Sequence, residues 1–355
     1  MSHLNASRLK ILITNCTLAT RSGSETATRD LALGLEARGH KPSVYSPRLG
    51  PIAEELRDAG VPVFDVLSSD IEPPDLIHGH HHAETVAAVL YFRDAPAVFV
   101  CHDPVAWFDH PPRIGRIRRF IAVDVLRRDR LLSQSWITPD LVSIVPNSVD
   151  VGRFLPRSSP LPSSPRRALL FSNYATSTNY GAQLIAITST LGLPLDVMGS
   201  GLGATCESPE LHLRNYDVVF AVGRAAMEAM ACGAACILCD HNGLGPLVTP
   251  KNVEDLWRFN FGHLLLRQRL TREALGEQLA MYDSTEAAAV QSFIRTKACL
   301  VNAVQQLEAL YSQVLAEHAL PDLGEDIRTY AQECCRELGL ARAQIQQLRG
   351  TPVPW

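Results

Sequence analysis

The sequence lacks any apolar run long enough to cross a membrane, because its longest apolar stretches fall far short of the roughly 20 residues that a spanning helix needs. Residues 1–8 also lack the apolar core of a signal peptide. Neither sign of charge dominates: 33 Lys and Arg are balanced by 37 Asp and Glu, for a net charge of −4. That balance indicates no general affinity for nucleic acid. We therefore expect a cytoplasmic protein that does not bind nucleic acid.

Internal repeats, low-complexity tracts and a GxGxxG fingerprint are absent as well. The absence of repeats excludes a solenoid. The absence of the fingerprint gives no support to a dinucleotide-dependent dehydrogenase. The nine cysteines suit a reducing compartment, since several lie in or beside apolar segments. Cys236 and Cys239 have CxxC spacing, but they fall in a predicted buried strand. We interpret them as core thiols and predict no metal site.

The composition that is present, 46% hydrophobic and 20% charged over 355 residues, is that of a globular protein with room for two domains. Residues 156–166 are rich in Pro and Ser, which predicts a linker between domains. The chain after Asn252 has helical periodicity in residues 273–282, 287–315 and 325–348. Residues 241–246 are interpreted as a loop.

Residues 217–240 predict a strand, a tight turn, a short helix and a second strand. Residues 217–222 are almost continuously apolar, as expected of a parallel strand covered on both faces. Gly223 allows a sharp turn, residues 224–232 favour a helix, and Gly233 can end that helix in the left-handed conformation.

The start of that helix is a candidate anion site, since its first N–H groups have no partner within the helix and lie at its positive end. Glu228 lies one turn after Arg224. A phosphate at the N–H groups of Arg224 and Ala225, with a hydroxyl-rich ring at Glu228, would suit a nucleotide. The alternative is an ordinary βαβ unit with Glu228 on a solvated face.

Three segments resemble the glycosyltransferase family 4-like enzymes of GT-B fold. Residues 227–233, MEAMACG, resemble that family's EAMACG segment, and residues 145–154, VPNSVDVGRF, resemble its P-N-G-V-D segment with Ser148 in place of glycine. Residues 23–25 take the place of its GG-x-E loop, with one glycine missing. The resemblance covers most of residues 9–300.

The resemblance implies roles for particular residues. The glutamate at Glu228 would hold the ribose of a nucleotide-sugar, the preceding helix start its diphosphate, and the loop at Gly199 and Gly201 would lie near the base. His102, which ends the predicted strand 97–101, would lie near the donor sugar, and the alternative is a histidine that caps this strand. The residues predicted to bind the donor are Gly23, Ser172, Asn173, Gly199, Gly201, Gly223, Ala225 and Glu228, and those predicted to be catalytic are His102 and Arg224.

Two features of the family are missing. Phe220 occupies the position of a first glutamate, eight residues before Glu228, and residues 172–180 carry no cation where the family often has a basic pair. Ser172 and Asn173 can still donate hydrogen bonds to phosphate oxygens, and Arg224 is the candidate for the missing charge.

The resemblance implies an α/β protein with two doubly wound Rossmann-like domains that face a cleft: residues 1–155 on the acceptor side and 167–300 on the donor side. Residues 301–355 would be helical, with one helix crossing back to the first domain. The implied activity is transfer of a hexosyl unit from a UDP-sugar or GDP-sugar, with retention and without a cofactor. The resemblance also implies a role in polysaccharide or glycoconjugate biosynthesis. The acceptor would be a glycan, a lipid-linked molecule or a small molecule. The alternatives are a non-catalytic nucleotide-binding or glycan-binding protein and a nucleotide-sugar 2-epimerase.

Two other segments allow several interpretations. Residues 75–82 end in four histidines, but neighbours on a strand point to opposite faces, so we interpret His78 and His80 as structural or cleft-edge groups. Residues 111–132 are the most basic part of the chain and are interpreted as an amphipathic helix. A solvated face, peripheral membrane contact through residues 113–130, and a site for an anionic acceptor are all compatible with it. Residues 326–347 could pair two subunits into a homodimer.

Overall fold

The structure, a computed structural model, describes residues 8–317 and 321–349. The chain divides into two units, each built around its own sheet. The first unit consists of Met1–Ile121, Asp129–Ser143 and Glu308–Trp355, and the second unit of Ala122–Arg128 and Ile144–Leu307. Residues 1–7, 318–320 and 350–355, which belong to the domain ranges predicted above, lie outside the described residues.

The first sheet is formed by β1 (Lys10–Thr14), β2 (Lys41–Tyr45), β3 (Val63–Phe64), β4 (Leu76–His80), β5 (Ala97–Cys101), β6 (Ile117–Ala122) and β7 (Val142–Ile144). The helices between them are α1 (Gly23–Ala37), α2 (Pro51–Asp58), α3 (His82–Tyr91) and α4 (Val125–Leu132). The strand order is β3-β2-β1-β4-β5-β6-β7. The chain moves outward from β1 to β3 and returns to β4 on the other side of β1. Such a reversal opens a crevice at the carboxyl ends of β1 and β4, where open α/β sheets bind ligands.

Burial on both faces explains the apolar strands of the first sheet. Ile11, Leu12 and Ile13 follow one another in β1 and are all fully buried, which is possible only when helices cover both faces. Helix α1 buries Leu31 and Leu35 and is followed by Gly39 at φ +89°, the left-handed conformation that ends many helices.

The second sheet is formed by β8 (Ala168–Phe171), β9 (Leu195–Met198), β10 (Val218–Ala221), β11 (Ala235–Asp240) and β12 (Gly243–Leu247), with α5 (Tyr180–Thr190), α6 (Pro209–His212) and α7 (Gly223–Ala231) between strands. Its order is β12-β11-β10-β8-β9. Strands β8 to β11 pair in parallel, and β12 is antiparallel to β11. The reversal of direction falls between β8 and β10. The prediction of two Rossmann-like α/β sheets is confirmed.

Alternate residues of β10 and β11 pack into two different cores. Val219 and Cys236 lie in one hydrophobic cluster, whereas Phe220 and Cys239 lie in the other. The two cysteines of the CxxC spacing therefore point to opposite faces of the sheet and cannot bind one metal ion together. Burial raises the pKa of the Cys239 thiol to about 12, as expected of a core thiol.

Two elements differ from the sequence-based predictions. Residues 241–246 are largely strand β12 rather than a loop: Leu244 is buried and exchanges backbone hydrogen bonds with Gln268. The glycines at 243 and 245 hide this strand in the sequence, because glycine is depleted in strands. The predicted helix 287–315 is divided into α10 (Ser284–Lys297) and α11 (Leu300–Ala316). Between them, the Val149 N–H donates to the Ala298 carbonyl and the Val149 carbonyl accepts from the Leu300 N–H, both at 2.9 Å.

The prediction of an amphipathic helix over residues 111–132 is wrong. Residues Ile117–Ala122 form strand β6, and only Val125–Leu132 is helical. Arg118 and Arg119 each lie 2.5 Å from a carboxylate oxygen of Glu317. The apolar residues between the arginines are buried within a sheet instead of forming one face of a helix.

The remaining helices are α8 (Val253–Trp257), α9 (Arg272–Ala280), α10 (Ser284–Lys297), α11 (Leu300–Ala316) and α12 (Leu323–Arg349), and short 3-10 helices occupy Trp107–Asp109, Pro139–Leu141, Ser200–Leu202, Leu213–Asn215 and His263–Leu265. Helix α11 begins in the second unit and ends in the first, where Tyr311 is fully buried. Across residues 8–317 and 321–349, no helix has both the length and the apolar composition of a membrane span.

Candidate functional site

The start of α7 lies where the second sheet reverses its strand order. Gly223 begins this helix directly after β10 and has φ +60°, which a side chain would disfavour. Its N–H donates to the Phe261 carbonyl at 3.0 Å, so this amide is already used within the protein. For Ala225, no backbone carbonyl within the described part of the chain accepts its N–H. The helix dipole and this amide give the second unit a helix end with partial positive charge, where the sequence predicts an anion site.

Arg224 and Glu228 lie side by side on α7. Their side chains are about one tenth exposed, and Arg224 Nη2 is 3.9 Å from Glu228 Oε1. Arg224 Nη1 also donates to the Ser148 carbonyl at 3.0 Å. The VPNSVD segment and the MEAMACG segment therefore meet in the second unit. Arg224, which is predicted to neutralise a diphosphate, therefore forms an ion pair with Glu228, which is predicted to bind the ribose.

The loop after β8 is tied to the loop after β9. Ser172 Oγ accepts from Tyr180 Oη at 2.7 Å, and Asn173 Oδ1 accepts from the Ser200 N–H at 3.1 Å. A Cβ at Gly199 would lie 1.9 Å from the Ser172 carbonyl oxygen, and one at Gly201 would lie 2.3 Å from that of Ala175. The glycines thus allow two backbones to touch, and this places Ser172 and Asn173 at the carboxyl edge of the sheet.

In the first unit, Gly23 begins α1 at the carboxyl end of β1. The neighbouring Glu25 is 1% exposed and accepts hydrogen bonds from Thr20 Oγ1 at 2.6 Å, from Ser24 Oγ at 3.0 Å and from Ser22 Oγ. Its carboxylate is therefore held inside the turn. The structure places Gly23 at the reversal of the first sheet and gives Glu25 a local structural role.

His102 forms a pair with His80 at the carboxyl ends of β5 and β4. His80 Nδ1 and His102 Nε2 are 2.6 Å apart, with the rings stacked at 4.8 Å between centroids. Burial, with further repulsion from neighbouring imidazoles, holds the pKa of His80 well below its usual value. A neutral His80 can orient the His102 ring through one hydrogen bond.

Sequence reasoning missed His81 and Asp109. His81 has φ +66°, an uncommon conformation for a residue with a side chain, and its Nδ1 lies 3.2 Å from Asp109 Oδ1. Asp109 is fully buried, and its Oδ2 accepts from the backbone N–H groups of His102 at 3.1 Å and Asp103 at 2.6 Å. Asp109 therefore fixes the backbone on which His102 is carried.

The electrostatics of this pair are those of a buried ion pair. Burial alone would lower the pKa of His81, but its hydrogen bonds to Asp109 and Cys16 raise it to about 10. Burial alone would raise the pKa of Asp109, but the hydrogen bond from His81 lowers it. The histidine is thus charged at neutral pH. The only sign of this ion pair in the sequence was the run of histidines at residues 78–82, with Asp109 further along the chain.

The other histidines of the run have separate partners. His78 Nδ1 is 2.7 Å from Tyr311 Oη, and His82 lies 2.7 Å from the His110 carbonyl and 2.9 Å from Tyr330 Oη. His82 begins α3, so the strand with its alternating directions ends at His80. Within the described residues, no group of three or more His, Cys, Asp or Glu could hold a metal ion.

Comparison with known proteins gives a family match over part of the chain and a fold. Residues 21–153 match the family model Glycosyltransferase Family 4. No curated protein matches the sequence. A glycosyltransferase from Rickettsia africae ESF-5 has a similar structure, with 14% identity and a TM-score of 0.61 over 88% of this chain and 100% of that one.

Two further structures have bound ligands. Anabaena Alr3699/HepE, in complex with UDP and glucose, is 15% identical with a TM-score of 0.59, over 86% of this chain and 100% of that one. The catalytic domain of starch synthase IV from Arabidopsis thaliana, bound to ADP and acarbose, is 11% identical with a TM-score of 0.55, over 88% of this chain and 100% of that one. The predicted resemblance and fold are confirmed: residues 21–153 match the model of glycosyltransferase family 4, and the chain has the GT-B fold.

Proposed function

We propose that the chain transfers a hexosyl unit from a UDP-sugar or GDP-sugar to a glycan, a lipid-linked molecule or a small molecule, with retention of anomeric configuration. One observation carries this proposal. Helix α7 begins where the second sheet reverses its strand order, and its first two turns carry the Arg224–Glu228 pair. Structures of Anabaena HepE with UDP and with UDP-glucose support a uridine nucleotide as the first donor to test.

The donor diphosphate is assigned to the start of α7. Its charge increases as the bond to the sugar breaks, and the partial positive charge of the helix end opposes that increase. Arg224 adds a full positive charge one residue into the helix. Because both charges are fixed before the reaction, they stabilise the leaving group without reorganisation. Glu228, one turn later, accepts hydrogen bonds from the ribose hydroxyls.

The sugar is assigned to His102 of the first unit. An imidazole can exchange hydrogen bonds with a sugar hydroxyl at neutral pH. His80 orients the ring of His102, and Asp109 holds the backbone N–H of His102. The chain's own groups therefore supply orientation and charge, and no step of the proposed transfer requires a metal ion.

Titration calorimetry with UDP and GDP tests the donor assignment. We expect Glu228→Gln to weaken binding of the preferred nucleotide about tenfold or more, since charge-assisted hydrogen bonds contribute about 1.5–3 kcal/mol. Glu277→Gln, an exposed glutamate on α9, is the matched control and should bind like the wild type. Equal affinity of the Glu228→Gln variant, or binding of neither nucleotide, would contradict the proposal.

A second candidate, a nucleotide-binding protein without transferase activity, is supported by a different observation. Phe220, at the position of the family's first glutamate, is fully buried, and residues 172–180 carry no cation. Incubation with UDP-glucose and an acceptor mixture separates the candidates. Transfer to an acceptor supports the enzyme, binding without turnover supports the second candidate, and conversion of the donor alone indicates an epimerase.

A further inference from the structure

The segment that follows β5 exposes large apolar side chains. In residues 102–110, the aromatic loop, Val105 is 85% exposed, Trp107 is 62% exposed and Phe108 is 49% exposed. Single exposed apolar residues are ordinary, but three within four positions form a patch. The loop continues directly from His102 at the carboxyl end of β5, which is the edge at which α/β sheets bind ligands.

Hydrogen bonds fix the backbone of the aromatic loop. Asp103 Oδ1 accepts from the N–H groups of Val105 at 2.8 Å and Ala106 at 2.6 Å. Arg130 of α4 donates to the carbonyls of Asp103 and, at 2.7 Å, of Ala106. Asp109 closes the other end of the loop through the backbone N–H groups of His102 and Asp103. The exposed rings are thus presented by a backbone ordered before any ligand arrives, which lowers the entropy cost of binding.

The two rings lie beside the rings of His81, which precedes α3, and His82, which begins it. The Trp107 ring is 5.7 Å from that of His82 at an interplanar angle of 34°, and the Phe108 ring is 5.3 Å from that of His81 in an edge-on contact. The exposed faces of Trp107 and Phe108 are thus backed by buried imidazoles, and the half-buried polar residues His102 and Asp103 belong to the same loop. A pyranose ring needs this combination, because one of its faces carries C–H groups and its rim carries hydroxyls.

The charges around the loop do not match an anionic membrane. Arg130 is committed to loop carbonyls, while Arg118 and Arg119 of the same basic segment pair with Glu317. The loop has two carboxylates: Asp109 is fully buried, whereas Asp103 is half-buried and accepts from the N–H groups of Val105 and Ala106. Docking to anionic lipid relies on basic side chains next to exposed aromatic ones, and these three arginines are occupied within the first unit.

The geometry points to Trp107 and Phe108 as a platform on which a saccharide ring of the acceptor stacks. This inference rests on the proposed transferase function. It identifies the acceptor as a carbohydrate. Trp107 supplies the larger and more exposed ring, and the backbone of the loop holds it in place.

Saturation-transfer difference NMR on the full chain tests the platform. The probes are maltose, lactose, cellobiose and the methyl glycosides of glucose, galactose and mannose. We expect at least one saccharide to bind the wild type, with its signal strongest from the protons of one ring face. Trp107→Ala should weaken binding about tenfold, Phe108→Ala should weaken it less, and Trp107→Phe should retain most of it, because an aromatic face remains.

Tyr91→Ala, which removes a 45% exposed aromatic side chain from α3, is the matched control and should bind like the wild type. Cosedimentation with phosphatidylglycerol vesicles is the second arm. Trp107-dependent vesicle binding without saccharide binding would overturn the inference and indicate a lipid surface. Binding of no saccharide, or equal binding by Trp107→Ala, would also overturn it. UDP titration of the same samples reports on the donor site separately, so failure of the platform and failure of the proposed function are distinguishable.

Discussion

Phe220 has a packing role at the position where the sequence resemblance predicts a glutamate. Its ring is fully buried in the second sheet, in the same hydrophobic cluster as Val218, Ile237 and Leu244. A carboxylate here would lose its hydration without gaining a partner. Phe220 therefore fills a position inside the core of the second unit.

Restoring the family residue should unfold the second unit rather than improve donor binding. We expect Phe220→Glu to lower the free energy of unfolding by about 3–5 kcal/mol or more, since a large buried ring is lost and a charge is buried. Chemical denaturation measures the loss, and Phe220→Leu should cost less than about 1.5 kcal/mol. A Phe220→Glu variant that stays as stable as the wild type and binds UDP more tightly would contradict this account.

Gly199 is required for a close backbone contact. It has φ +148°, and an added Cβ would lie 1.9 Å from the Ser172 carbonyl oxygen. We expect Gly199→Ala to cost about 3 kcal/mol or more through strain and overlap, and to weaken UDP binding by moving Ser172. Gly203→Ala is the control: it also has a positive φ, +72°, but nothing lies within 4 Å of its added Cβ. Its cost should be about 1 kcal/mol. Thermal unfolding measures the loss of stability in the two variants. Equal losses of stability would show that the contact with Ser172 is not the cause.

At the scale of elements, the aromatic loop and the β4–α3 turn are joined by the His81–Asp109 pair. The two residues are 28 positions apart in the chain. One carboxylate orders both the strained turn at His81 and the start of the loop, so both segments should loosen together when that carboxylate is removed.

The stability of the first unit should depend on pH through this pair. The pKa of His81 is raised from 6.5 to about 10, so its stabilisation is complete below pH 6.5 and is lost as the pH rises toward 10. The pKa of Asp109 is lowered from 3.8, so its stabilisation is present above that value and is lost as the pH falls through the lowered pKa. The pair should therefore stabilise the fold most between about pH 4 and 6.5.

Guanidinium unfolding at pH 6.5 and pH 9 checks this expectation. The wild type should be less stable at pH 9, and Asp109→Asn should reduce that difference because His81 no longer keeps its proton. Asp94→Asn, an exposed aspartate of the same unit, should keep the wild-type pH dependence. An unchanged pH dependence in Asp109→Asn would exclude the pair as its source.

At the scale of the whole molecule, the chain returns to the first unit after completing the second. Glu308 of α11 lies 2.6 Å from Arg38 and 2.9 Å from His40, and the Tyr311 hydroxyl lies 2.7 Å from His78. Tyr311 is fully buried. The second half of α11 is therefore part of the core of the first unit, although it is far from β1 to β7 in sequence.

Mutation of Tyr311 should destabilise one unit selectively. We expect Tyr311→Ala to cost about 3–5 kcal/mol, and Tyr311→Phe to cost about 1–3 kcal/mol because the His78 ring nitrogen loses its partner. Hydrogen exchange should accelerate in the strands of the first sheet and stay unchanged in β8 to β11, because the second unit has its own hydrophobic clusters. Equal acceleration in both sheets would contradict two independently stabilised units.

The sequence by itself determined the two α/β sheets, the helix that starts at Gly223 and the family resemblance. These depend on local information, since apolar periodicity, glycine at turns and short motifs are read from neighbouring residues. Residues 111–132 show the limit of that information, because alternating arginines and apolar residues suit a strand as well as a helix.

The tertiary structure alone decided the partners of the functional side chains. Arg224 meets the Ser148 carbonyl, His80 meets His102, and Asp109 meets His81 across 76, 22 and 28 positions of sequence. No periodicity specifies such contacts, because they depend on which strand ends the sheet order brings together. The charge of His81, the orientation of His102 and the burial of Phe220 all follow from that order, because these residues meet their partners only when the strands assemble.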